Sequence, residues 1–157
     1  MKLILIATSA AALTAAAIAA TASGQAPTTT APTALKLSDQ EAHFTFVDVA
    51  PKGGTRKPPS EGDTFVIGGK LTADGKPSGT ANLVCTITQP GAKGLSECVG
   101  TLVLPTGSIT FAGGSRIATE DDTFAVTGGT GAYIKATGTL AAVATKGGRD
   151  ALTVQLG

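Results

Sequence analysis

Few side chains in this sequence could do chemistry, and Asp48 is the most informative of them. Phe44, Phe46 and Asp48 recur at every second position, so in a β-strand they lie on one face. An alternation that buries the two phenylalanines directs the Asp48 carboxyl toward apolar walls, and such surroundings raise a carboxyl pKa. We therefore assign Asp48 as the candidate catalytic residue, a general acid or base. An ordinary aspartate that ends a strand and reaches water is the alternative.

The other polar residues indicate less specific chemistry. His43 is the one histidine and falls on the face opposite the phenylalanines, which argues against a catalytic triad and a histidine zinc site. The acidic residues 120–122 lack the spaced oxygen ligands of a calcium loop, so we predict no metal site. The glycine-rich residues 128–131 lack the lysine of a phosphate-binding loop and are interpreted as a turn. Tyr133 is a candidate to orient a ligand, with a surface role as the alternative.

Cys85 and Cys98 form a predicted disulfide. Both fall on the apolar faces of neighbouring predicted strands, as a bond across two strands requires. Closing a loop of this length stabilises a fold by about 3 kcal/mol in the chain-entropy model. A free, reactive thiol is the alternative.

The N-terminus is typical of an exported protein. Lys2 precedes a small and apolar run over 3–20, and an Ala-x-Ala motif ends at Ala22. We predict a signal peptide over 1–22, a flexible linker rich in Thr, Pro and Ala over 23–39, and one folded domain over 40–157. The protein is therefore expected to be secreted and extracellular. An uncleaved membrane anchor is the alternative, because the apolar run is just long enough to span a bilayer.

The charge balance argues against two classes of partner. The chain has 12 Lys and Arg against 11 Asp and Glu, and Lys2 lies in the predicted signal, so the mature chain is close to neutral. A nucleic-acid-binding surface would need a basic excess, so we expect no nucleic acid partner. No long Lys-rich amphipathic helix follows the signal, so we expect no membrane partner after cleavage.

Short runs of period two, separated by turn residues, make up the folded part. Predicted strands cover residues 42–49, 63–71, 79–88, 97–104, 108–113, 122–127, 132–145 and 151–156. Seven or eight antiparallel strands in a domain of this size must close or fold into two sheets, because open edges and a wet apolar face are unfavourable. We predict an all-β antiparallel barrel. An immunoglobulin-like sandwich is the alternative, but that fold usually carries a core Trp and this sequence has none.

The inward faces of these strands are mostly small residues, with only a few phenylalanines. An eight-stranded barrel has room for one small ligand unless large side chains fill it, so we expect a small hydrophobic molecule inside. The predicted ligand-binding residues are Phe44, Phe46, Phe65, Ile67, Leu83, Leu102, Phe111 and Tyr133.

Three segments carry a resemblance to a known family: GDTFVIGGKL over 62–71, GTANLVCTITQ over 79–89 and EDDTFAVTGGTGAY over 120–133. With these segments the chain resembles the allene oxide cyclase and dirigent superfamily over nearly the whole folded part. The most specific piece is the acidic start followed by a Thr-Gly-Gly-Thr-Gly turn. The resemblance implies an eight-stranded, closed antiparallel barrel of lipocalin-like type, and a homo-oligomer, either dimer or trimer.

The resemblance also implies an activity. Members of the superfamily shape the cyclisation of a reactive lipid epoxide or guide the coupling of phenoxy radicals, and they need no cofactor because they act by holding a reactive molecule in one conformation. Bacterial relatives include cyclases of polyketide metabolism. We expect a barrel that steers cyclisation, as an isomerase does, or stereoselective coupling. A non-catalytic ligand carrier or structural barrel is the alternative.

The resemblance extends to single residues. It places Asp48 where plant cyclases keep a glutamate and Cys85 on their pocket cysteine. Phe65 matches an apolar pocket position, as does Ile67. Departures matter as well: residues 50 and 69, Ala and Gly here, stand where the cyclases have asparagines that hold a water. With these two changes and a bonded cysteine, plant-type allene oxide chemistry is not expected.

Overall fold

The computed structural model describes residues 33–49, 59–91, 93–117, 119 and 121–157, and the predicted signal peptide over 1–22, most of the predicted linker and Ala50 lie outside them. The described chain is all-β and forms a closed barrel of eight strands. The strands are β1 (Ala34–Val47), β2 (Thr64–Ala73), β3 (Lys76–Gln89), β4 (Leu95–Leu104), β5 (Gly107–Arg116), β6 (Asp121–Gly129), β7 (Gly138–Thr145) and β8 (Arg149–Leu156).

Every strand pairs antiparallel with the next one along the chain, and β1 also pairs with β8. This last pairing closes the sheet and leaves no exposed strand edge. The structure confirms the predicted eight-stranded closed barrel and rules out the two-layered sandwich. A hairpin turn joins β2 to β3, with Asp74 at φ 50° and Gly75 at φ 74°. Positive φ at both central residues is the turn type that matches the strand twist.

The centre of the barrel is packed with aliphatic side chains from alternate strand positions. Its most deeply buried residues are at most 1% exposed: Leu71, Ile87, Leu102, Ile109, Leu140 and Val154. Fully burying one such side chain contributes about 1.5–3 kcal/mol of hydrophobic free energy. These residues fill the middle of the barrel.

A short 3-10 helix, Gly131–Tyr133, closes one end of the barrel. Tyr133 is 4% exposed, and the Thr106 hydroxyl donates a hydrogen bond of 3.2 Å to its phenolic oxygen. The single strand predicted over 132–145 is wrong in its first part, because Lys135 has φ 65° and this left-handed conformation interrupts an extended chain. Within the described ranges, no helix is long and apolar enough to cross a membrane.

Strand β1 begins at Ala34, eight residues before the start predicted at residue 42 and inside the segment predicted as linker. Its first residues pair with β8, where Leu35 lies opposite Val154 and Leu37 opposite Leu152. Leu37 is buried, so this segment belongs to the barrel wall. Contacts with a strand more than a hundred residues away stabilise it, and these contacts are not visible in the local sequence.

Strand β1 contains a β-bulge at Ala42, where the register with β2 shifts between Glu41 and His43. A bulge inserts one extra residue and changes which side chains face inward. Before the bulge, odd-numbered residues such as Leu37 and Asp39 face the interior. After it, even-numbered residues such as Phe44 do so.

The predicted disulfide between Cys85 and Cys98 is confirmed. The two cysteines lie directly opposite each other on β3 and β4, with their Cα atoms 4.1 Å apart. Both side chains are buried in the interior. The predicted pairing therefore holds, and the alternative of a free thiol does not.

Candidate functional site

A cavity of about 110 Å³ lies inside the barrel, toward the end where β6 and β8 begin. Its inner wall is apolar and is formed by Ile67, Ala81, Leu83, Leu102, Phe111, Phe124, Leu140, Ala142 and Leu152. Asp39, Glu41 and Asp150 also line it, and the last two are exposed, so the cavity reaches solvent on their side. An apolar space with a few converging polar groups is the usual composition of a small-molecule site. The volume of this cavity is below the roughly 150 Å³ of an engineered cavity that binds benzene, so it holds at most one small ring or alkyl group.

Asp39 provides the most deeply placed polar group of this cavity. Its Oδ1 atom is buried and has no hydrogen-bond partner among the residues that the structure describes. The carboxyl lies against Gly69 of β2, where the Cβ of any other residue would collide with it. The absence of a side chain at Gly69 is therefore what makes room for the Asp39 carboxyl over the sheet.

The environment of Asp39 raises its pKa to about 6. Burial is the largest cause, because a charged carboxylate loses hydration there. The negative charge of Asp150, directly opposite on β8, adds to the increase, and that of Glu41 contributes further. The backbone N–H of Gln40 partly counteracts these effects. Near neutral pH the group can therefore both release and take up a proton, as an acid–base catalyst must.

Two further aspartates on the inner face extend this negative region. Burial raises the pKa of Asp150, and the negative charge of Asp122 raises it further. Burial also raises the pKa of Asp122, and neighbouring Asp121 adds to it, whereas the hydroxyl of Ser115 lowers it by donating a hydrogen bond of 2.9 Å. We refer to Asp39, Glu41, Asp122 and Asp150 as the acidic rim.

The acidic rim does not have the arrangement of a metal centre. Among the residues that the structure describes, no group of three or more His, Cys, Asp or Glu side chains is placed to hold a metal ion. Its carboxyl groups face a space bounded by apolar side chains, and this arrangement suits an organic ligand.

The structure places the predicted ligand-binding residues in three different locations. Ile67, Leu83, Leu102 and Phe111 line the cavity. Phe44 and Phe46 pack against Phe65 with ring centroids 5.7 and 5.1 Å apart. This aromatic group is next to the cavity, since Phe44 lies opposite Ile67 in the sheet, but it is not part of the cavity wall.

Tyr133 and Asp48 are not brought to the cavity. Tyr133 lies at the closed end of the barrel, where it borders a separate space of about 170 Å³. Asp48 follows the last residue of β1 and is half-buried.

Nearby, Asp63 is 2% exposed and accepts hydrogen bonds from the backbone N–H groups of Ser60 (2.7 Å) and Val49 (2.9 Å), which lower its pKa. Through these two hydrogen bonds, the Asp63 carboxylate holds Val49 and Ser60, which lie on either side of residues 50–58 in the sequence.

The sequence patterns do not indicate the acidic rim. Asp39 falls in the segment predicted as linker, although Leu35, Leu37 and Asp39 already alternate with polar residues. Asp122 starts the predicted strand over 122–127, and Asp150 precedes the predicted strand over 151–156. The alternation of residues 35–39 does indicate a strand before Ala42. Because the bulge at Ala42 changes which positions face inward, the pattern does not show that Asp39 and Phe44 lie on the same face.

Comparison by sequence yields no relatives: no protein-family model and no curated protein matches the chain. Comparison by structure does yield relatives. The barrel is similar to pyocyanin demethylase, with a TM-score of 0.70 and 22% identity, over 79% of this chain and 99% of that one.

Two further solved structures share the barrel. One is the exo-specific intermolecular Diels-Alderase AbnU, with a TM-score of 0.62 and 12% identity over 78% of this chain and 96% of that one. The other is a pterocarpan synthase dirigent protein, with a TM-score of 0.57 and 18% identity over 79% of this chain and 82% of that one. The chain therefore shares its barrel fold with these three proteins, one of which is a dirigent protein.

Proposed function

We propose that this protein is a secreted barrel that binds a small, largely apolar molecule in the cavity and steers its cyclisation or coupling, with Asp39 as the acid–base group. The observation that carries the proposal is the Asp39 carboxyl, placed in an apolar cavity with its pKa raised to about 6. A buried carboxyl oxygen without a hydrogen-bond partner among the described residues costs stability, and perturbed carboxyl groups of this kind are concentrated at functional sites.

The apolar walls and the carboxyl have separate tasks in this proposal. Leu102, Phe111 and Leu140 restrict the bound molecule to few conformations, so that the atoms to be joined are held close together. Asp39 as a carboxylate takes a proton from one position of the bound molecule. The neutral acid then returns a proton to an atom that gains negative charge as the bond forms, which regenerates the starting state.

The structural relatives support the type of reaction. One of the proteins that share this barrel is an intermolecular Diels-Alderase, which joins two molecules, and another is a pterocarpan synthase dirigent protein. Export is supported by the signal-like sequence over 1–22 and by the disulfide, since disulfides persist in oxidising compartments.

Occupancy of the cavity is tested with toluene, a neutral single ring, by ligand-observed NMR titration. We expect toluene to bind the wild type and Ala142→Leu to weaken binding by about tenfold or more, because the added methyl groups fill a space of this size. Ala125→Leu is the matched control, since Ala125 is exposed on the outer face of β6. Failure of toluene to bind the wild type would overturn the proposal.

The role of Asp39 is tested separately from occupancy, by carboxyl-carbon NMR titration with and without toluene. Toluene displaces water from the cavity, so it should raise the pKa of Asp39 further. A response at Asp39 and none at Asp48 supports the proposal. A response at Asp48 alone would instead support the assignment made from the sequence.

A further inference from the structure

All charged groups of the cavity have the same sign. Asp39, Glu41 and Asp150 line it, and no Lys, Arg or His of the described chain does so. The nearest basic side chain on β8, Arg149, lies on the outer face, where its Nε donates to the side chain of Gln40 at 2.8 Å. Within the part of the chain that the structure describes, no basic residue on the cavity wall neutralises the acidic rim, and its carboxylates repel one another.

Two aromatic rings provide a second, independent feature of the same cavity. Phe111 and Phe124 line its inner part, with ring centroids 5.4 Å apart. The face of an aromatic ring carries a negative electrostatic potential and attracts cations within about 6 Å of its centroid. The two rings border the space that the carboxylates face, and a cation above the face of either ring would be attracted by it as well as by the carboxylates.

From these two features we infer that the molecule bound in the cavity carries a positive charge, as an amine or a nitrogen heteroaromatic cation does. Its charged group lies against Asp39 and Asp150, and its apolar part lies against Phe111 and Phe124. The inference rests on the proposed function, because it names the substrate class of the same cavity. A cation relieves the repulsion within the acidic rim, and the low-dielectric walls strengthen that attraction. An anion would add to the repulsion, and a neutral molecule would leave it unchanged.

The inference is tested with three probes that share one ring size: N-methylpyridinium, toluene and benzoate. Dissociation constants are measured by NMR titration at about pH 8 and about pH 4.5, on either side of the pKa of Asp39. At the higher pH we expect N-methylpyridinium to bind at least about fivefold more tightly than toluene, and benzoate not to bind. At the lower pH the preference should fall by about twofold or more, because Asp39 is then largely protonated and the cavity wall carries less negative charge.

Two variants locate the effect. Asp150→Asn should weaken N-methylpyridinium binding by about threefold or more at the higher pH and leave toluene binding unchanged, because it removes one charge from the cavity wall. Asp121→Asn removes the same charge from the exposed outer face and is the matched control. An equal loss in both variants would show that net charge alone is responsible and would overturn the inference.

Proton release gives a further readout. Near pH 6, N-methylpyridinium should release protons on binding, because it lowers the pKa of Asp39, and calorimetry in two buffers of different ionisation enthalpy detects this. Toluene binding without any preference for the cation would overturn this inference and leave the proposed function intact. Absence of binding by all three probes would overturn both.

Discussion

Asp39 lies directly opposite Asp150 in the antiparallel pairing of β1 with β8, and both side chains line the cavity. Like charges in such a position destabilise a sheet. Burial and this opposition together raise the pKa of Asp39, so its ionised form is unfavourable to the fold. A local arrangement that works against stability is expected at functional sites, where the fold compensates for it elsewhere.

Replacing Asp39 by Asn should stabilise the protein at neutral pH. The folded state has a pKa of about 6 at this residue against 3.8 for an ordinary aspartate, so it binds the proton more tightly than the unfolded state. The wild type therefore loses stability as pH rises from about 4 to about 6. Asp39→Asn removes this loss and should raise the free energy of unfolding by about 1 kcal/mol above pH 7, after allowance for solvent screening.

Urea denaturation at both ends of this pH range checks the prediction. Near pH 4 the variant should match the wild type, because the native carboxyl is already protonated. Asp121→Asn, on the outer face, should show no comparable gain at neutral pH. An equal effect of Asp39→Asn at both pH values would contradict the assigned cause.

Gly69→Ala should displace the Asp39 carboxyl, because the new Cβ collides with it. The variant alone is expected to be destabilised, and the loss should be smaller when Asp39 is also changed to Ala. A double-mutant cycle measured by urea denaturation should give a coupling energy of about 1 kcal/mol or more. Additive effects of the two substitutions would show that Gly69 does not position Asp39.

Removing the disulfide should destabilise the barrel without affecting its topology. In the Cys85→Ala, Cys98→Ala double variant we expect the free energy of unfolding to fall by about 2–4 kcal/mol, because the unfolded chain regains the freedom of the closed loop. Guanidinium denaturation measures the change. Reduction of the wild type with dithiothreitol is the control, and it should produce a loss of similar size.

Tyr133→Phe separates the two ends of the barrel. The substitution removes the acceptor of the Thr106 hydroxyl and should lower stability by about 0.5–1.5 kcal/mol. Toluene affinity should be unchanged, since Tyr133 lies at the closed end and does not line the cavity. A clear loss of toluene affinity would instead support the ligand-binding role predicted from the sequence.

Much of the barrel wall was predictable because its signals are local. Alternation over 63–71 and 79–88 indicates inward-facing Ile67 and Leu83, and both line the cavity. Cys85 and Cys98 share the apolar faces of adjacent hairpin strands, and the short connection between these strands sets their register. In each case the pattern and the contact that it predicts lie within one hairpin.

The first strand shows where local patterns were insufficient. If the alternation of Phe44 and Phe46 is extended backward, Asp39 faces outward. In a strand without a bulge, all even-numbered residues face one side and all odd-numbered residues face the other. The extra residue at Ala42 exchanges the two sides, so that the odd-numbered residues before it, including Asp39, face the interior. The same alternation, extended forward, led to Asp48, which lies beyond the end of β1.

The sequence by itself determined that this chain builds an all-β barrel with an apolar interior and a disulfide between β3 and β4. These features follow from the alternation of side chains and from turn residues, which act over a few positions. Only the tertiary structure decided which carboxyl groups meet. Asp39 and Asp150 are 111 positions apart and become neighbours when β8 closes the barrel onto β1. A pattern with a period of two residues carries no information about such a closure.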